Sequence, residues 1–127
     1  MIHPDILARK IVPYLESLKT DVRAKGLVST CHVVHTQTGY GFITYASFML
    51  KSGLDSIDLV IRTMPKNDYI EIAGDLTHSD GYPIFAELQN ITFDRDSSEH
   101  DLNQLLTTVE EFILSQADTI NHLLSTE

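Results

Sequence analysis

Apolar residues recur along this chain with two rhythms, a period near 3.6 at both ends and a period of 2 in the middle. In HPDILARKIVPYLESLKTDVRAKG, Leu7, Ile11, Tyr14, Leu15, Leu18 and Val22 fall at helical spacing, which predicts an amphipathic helix. Pro4 stands where a first turn tolerates proline, and Lys25 with Gly26 reads as the carboxyl end. Pro13 interrupts the pattern and removes the bond to the carbonyl of Arg9, so a kink or break is expected there. At the other end, Ser97 or Ser98 is the cap candidate, with Glu99 and Asp101 in the first turn. The stripe Leu102, Leu105, Leu106, Val109, Phe112, Ile113, Ala117, Ile120, Leu123 and Leu124 predicts one long helix of roughly 40 Å.

Between these helices, LVSTCHVVH, GFITYASFMLKS, SIDLVIRTM, DYIEIAGDLT and YPIFAELQNITF are rich in β-branched and aromatic residues. The turn signals between them are Thr38-Gly39, Ser52-Gly53, Pro65 to Asp68 and Asp80-Gly81. Connections this short exclude parallel crossovers. The fold class is therefore α+β: one domain over residues 1–127, an antiparallel meander of four to five strands flanked by an N-terminal helix and a long C-terminal helix.

Register decides what the hairpin DLTHSDGYPIF is for. With Ser79-Asp80-Gly81 as a type I turn and Gly81 at positive φ, Leu76 pairs with Ile84, Gly74 with Ala86 and Ile72 with Leu88. One face is then apolar, while Glu71, Ala73, Asp75, Thr77, Phe85, Glu87 and Gln89 line the other. His78, Asp80 and Gly81 read mainly as turn chemistry. In the neighbouring strand, Ile57, Leu59 and Ile61 point under the helices and Asp58, Val60 and Arg62 point away. Two helices cover one face of a sheet, so the second face is expected to present Tyr45, Met49, Val60 and Phe85 ringed by Asp58, Arg62, Glu71, Asp75 and Glu87. An apolar centre with a charged rim is the anatomy of an interaction surface.

Charge sharpens this picture. The formal net charge is -9, and the first 25 residues hold five of the nine basic side chains, leaving four basic against fifteen acidic ones in the rest. Such a field disfavours nucleic acid and acidic membranes and speeds encounter with a basic partner. No stretch has the length and apolarity of a transmembrane helix, and the N-terminus lacks a signal-peptide core. With a single cysteine, Cys31, the expectation is a cytoplasmic protein without internal disulfides.

Catalytic and metal readings find little purchase. In CHVVH, Cys31 and His35 share a strand face while His32 points away, and no second ligand cluster accompanies them. TGYGF leads into a strand, whereas a phosphate-cradling loop leads into a helix, so Thr38 to Phe42 reads as a turn or bulge. Asp55 with Asp58 and Asp94 with Asp96 read as solvated pairs. The expectation is no catalytic residue, no metal and no cofactor.

The stretch IEIAGDLTHSDGYPIFAEL, Ile70 to Leu88, closing a meander between two helices, resembles small bacterial immunity proteins of the TriTu type, which neutralise polymorphic or contact-delivered toxins. The resemblance covers the strand with Asp75-Leu76, the turn Ser79-Asp80-Gly81 and the strand reaching Glu87-Leu88, and it carries no functional residue with it. It implies stoichiometric binding and inhibition of a toxin domain, and the acidic surface of this chain suits a basic one. The leading expectation is a non-enzymatic α+β protein-binding module of this kind, acting through the exposed sheet face or the acidic C-terminal helix. The alternatives are a chaperone-like or structural homodimer using the same sheet face, and a small-ligand or enzymatic domain with a cleft where Tyr45, His32 or Asp75 would act.

Overall fold

A computed structural model of the chain describes residues 2–22, 28–36, 39–50 and 53–125, with the side chains of residues 19, 20 and 28–36 outside that description. The elements run α1 (Pro4–Asp21), β1 (Val28–Thr36), β2 (Gly39–Met49), β3 (Ser56–Pro65), β4 (Tyr69–His78), β5 (Ile84–Asp94), α2 (Glu99–Leu114) and α3 (Ala117–Ser125). The five strands lie in chain order as one antiparallel sheet. This is the α+β meander that the change of period predicts. α1 ends at Asp21 with Val22 extended, short of the expected end at Lys25-Gly26; those two residues and the turn residues Thr38 and Ser52 fall outside the described residues.

Both helices cover the same face of the sheet. α1 packs on β1, β2 and β3 and against α2, which reaches β5. Leu7, Ile11, Leu15 and Leu18 of α1 join Leu105, Leu106, Val109 and Ile113 of α2 over Phe48, Leu59, Ile61, Ile72 and Leu76 in one core. Burying each such side chain stabilises the fold by about 1.5–3 kcal/mol. Gly74 lets the layers approach: a Cβ there would lie 2.7 Å from Ile61 Cδ1 and 3.4 Å from the ring of Phe112 on α2.

The two ends of the chain depart from regular helix in different ways. α1 runs through Pro13 without a break. Pro13 and Arg9 are both exposed, so the carbonyl that loses its donor stands on the solvent side, within reach of water. The long C-terminal helix forms, but it is bent and runs as two segments, α2 and α3. Ser98 caps α2, accepting from the Asp101 N–H, but the helix ends at Ser115-Gln116. There the Ser115 hydroxyl and Gln116 Nε2 both donate to the Phe112 carbonyl, at 2.8 and 3.0 Å. Gln116 is buried, and its carbonyl accepts from Ile120 N–H at 2.9 Å to start α3. Side chains that compete for a backbone carbonyl favour a helix end. The redirected α3 buries Ile120 and is tied to α1 by Asn121 Nδ2, which donates to the Asp21 carbonyl at 2.9 Å.

The β4–β5 register also differs from expectation. The turn forms at the expected place: Gly81 has φ +90°, and its N–H donates to the His78 carbonyl at 2.8 Å. The loop is longer, however, because His78 N–H donates to the Pro83 carbonyl. Leu76 lies opposite Ala86, Gly74 opposite Leu88 and Ile72 opposite Ile91, with irregularities between Leu76 and Thr77 and between Ile72 and Gly74. β5 thus carries two bulges. Each extra residue reverses the side-chain alternation, so Ala86, Leu88, Ile91 and Phe93 all reach the core.

Candidate functional site

The face of the sheet opposite the helices is built by register. Tyr45 of β2 stands opposite Val60 of β3, Val60 opposite Asp75 of β4, and Asp75 opposite Glu87 of β5. Flanking rows place Ile43 with Arg62 and Ala73, and Ser47 with Asp58 and Thr77. Met49 pairs with Ser56 and Met64 with Glu71. Eight of the nine residues expected on this face, Tyr45, Met49, Val60, Asp58, Arg62, Glu71, Asp75 and Glu87, are therefore brought together.

Phe85 is the exception. It occupies the bulge beyond Ala86 and packs against the core. Ile84 pairs with Thr77 instead and stands on the open face, 47% exposed. The bulge exchanges one apolar side chain for its neighbour. A regular strand alternation hides that exchange, which is why sequence reasoning named Phe85 and missed Ile84.

The face is divided chemically. Its β2–β3 half carries Ile43, Tyr45, Met49, Val60 and Met64, all half-buried or exposed. Gly41 belongs to this half, since a Cβ there would meet Met64 Sδ at 2.6 Å. The β4–β5 half is acidic. Asp75 and Glu87 are directly opposite, an unfavourable like-charge pair. Arg62 relieves it, with Nη1 2.7 Å from Asp75 Oδ2. Asp58 accepts from the hydroxyls of Ser47 and Ser56, and Glu71 accepts from Asn90 Nδ2 at 3.3 Å. Asp94, opposite Tyr69, joins them by register, so five carboxylates share the face with one guanidinium among the described residues.

The hairpin turn and the Asp94-Asp96 pair make turn contacts. Asp80 Oδ1 accepts from the Tyr82 N–H at 2.9 Å and lies 3.2 Å from His78 Nδ1. The Tyr82 N–H, and after it His78, holds the Asp80 carboxyl below the ordinary carboxylate range. Asp94 Oδ1 accepts from the Asp96 N–H at 2.9 Å, which closes a turn. The side chains of Cys31, His32 and His35 lie outside the described residues. Among those described, no three His, Cys, Asp or Glu residues are grouped to hold a metal ion.

Concave features lie elsewhere. One of about 880 Å³ is lined by Asp21 and α3 residues including Asp118 and His122. Another of about 430 Å³ lies between the start of α1, Tyr40, Phe42, Pro65 and Arg95. Neither is lined by Asp80, nor by Tyr14, whose phenol is shifted upward by burial and then by Glu110. No described helix is long and apolar enough to cross a membrane. No family model, curated protein or solved structure matches this chain.

Proposed function

We propose that this chain is a non-enzymatic protein-binding module that acts in the cytoplasm and offers its open sheet face to a basic partner, as an immunity or inhibitor protein does to a toxin domain. The observation that supports the reading is the division of that face. An apolar half around Tyr45 and Val60 adjoins an acidic half around Asp75 and Glu87, so a partner with an apolar contact and cationic flank meets complementary chemistry at both. The acidic excess of the chain steers such a partner inward.

The test is site-directed photo-crosslinking in cells that make the protein. A crosslinker replacing Val60 is expected to trap one basic protein, and a crosslinker replacing Thr107 on the exposed side of α2 is not. Trapping from Thr107 alone refutes the proposal. A Val60 crosslink only to a second copy of the chain replaces it with the homodimer.

A further inference from the structure

The open face continues into an apolar end. The β2–β3 and β4–β5 loops abut there: Ser79 N–H donates to the Ser56 carbonyl at 2.9 Å, and His78 Nε2 lies 4.0 Å from Asp55 Oδ2. These two loops and the strand ends beside them carry four of the most exposed large apolar side chains among the described residues. Leu54 is 89% exposed, Tyr82 76%, Ile84 47% and Met49 38%. Scattered single exposures need no explanation, but four at one end of the sheet, spread across the β2–β5 strand ends beside an interaction face, do. Ile84 and Met49 belong to that face by register, and Leu54 and Tyr82 extend it past the strand ends.

Three classes of occupant are available, and charge selects among them. Among the described residues the charged groups at this end are Asp55, Asp58 and Asp80, with His78 as the one titratable base, while Lys51 of the β2–β3 loop lies outside them. Asp80 is held ionised by the turn. An anionic membrane is repelled by this arrangement. A second copy docking by twofold symmetry brings the same carboxylates against themselves. A protein with an apolar groove and a cationic rim meets neither penalty. We infer that Leu54, Tyr82, Ile84 and Met49 are the anchor of the interaction surface, received by an apolar groove flanked by lysine or arginine on a protein partner. This rests on the reading of the open face as a binding surface and specifies which part of it supplies the affinity.

A synthetic amphipathic peptide of alternating leucine and lysine turns is the probe, titrated into the full chain and followed by backbone amide NMR. The expected result is saturable shifts at Leu54, Tyr82, Ile84 and Met49. Salt should weaken the binding, which should fall at least about tenfold in the Leu54→Ser/Tyr82→Ser variant. Both substituted side chains are exposed, so the variant should melt as the parent does. Shifts centred on Val60 and Asp75, with affinity unchanged in the variant, overturn the anchor and leave the open-face reading standing. Shifts along the exposed side of α2, or none, overturn both. Binding to anionic vesicles, or self-association that the variant abolishes, assigns the apolar end to a membrane or to a second copy and overturns the inference.

Discussion

Gly74 offers the most direct test of how the helical layer sits on the sheet. Its φ is outside the positive region, so alanine there meets no backbone strain and reports packing alone. The new Cβ would lie 2.7 Å from Ile61 Cδ1, 3.1 Å from the Val60 carbonyl oxygen and 3.4 Å from Phe112 Cε2. The Ile61 terminus can rotate, but the carbonyl belongs to the β3–β4 ladder and has to shift with its strand. Overpacking of this kind costs about 1–3 kcal/mol, and the lower entropy of the unfolded alanine chain offsets about 0.4–1 kcal/mol. Gly74→Ala should therefore lose about 1–2 kcal/mol, and Gly74→Val, whose added methyls press on Phe112, about 3 kcal/mol or more. Urea denaturation at unchanged slope measures both. Ile61→Val deletes the closest atom, so in the Gly74→Ala background it should cost less than it does alone, by about 0.5 kcal/mol or more. An alanine variant as stable as the parent, or strictly additive single and double variants, would refute the close approach.

Two further outcomes are accessible. Thr63 is fully buried and its Oγ1 has no hydrogen-bond partner, so Thr63→Val, which keeps the shape and removes the orphaned hydroxyl, should raise stability by about 1 kcal/mol in the same urea assay. Asp80 has a lowered folded pKa, so its contribution is present above the unfolded carboxylate pKa and lost as pH falls through the folded value. The melting-temperature gap between the parent and Asp80→Ala should be open near about pH 6 and close below the carboxylate range, near about pH 2. A gap of the same size at both would contradict the ionised turn.

What was legible in the sequence follows from where a simple period holds. β3 and β4 alternate without interruption, so Leu59, Ile61, Ile72 and Leu76 inward and Val60, Arg62 and Asp75 outward could be read directly, and with them most of the open face. β5 could not be read that way. Ala86 and Leu88 point inward with one parity and Ile91 and Phe93 with the other, and only bulges reconcile them. The mixed parity within YPIFAELQNITF was the available signal. The bend at Ser115-Gln116 was hidden because the apolar stripe keeps its spacing across it, and the decisive bonds to the Phe112 carbonyl are local side-chain geometry. At Pro13 no break follows, because a missing donor on a wet helix face costs too little to end a helix anchored by Leu7, Ile11, Leu15 and Leu18.

The bulges of β5 also bear on solubility. β5 is an outer strand of the sheet, and an outer strand left straight is a template onto which another chain can add main-chain hydrogen bonds, the first step toward fibrils. Two interruptions within eleven residues spoil the even spacing of donors and acceptors that such growth requires. Side-chain chemistry, which distinguishes one partner from another, is then what governs association along this border, rather than indiscriminate strand addition.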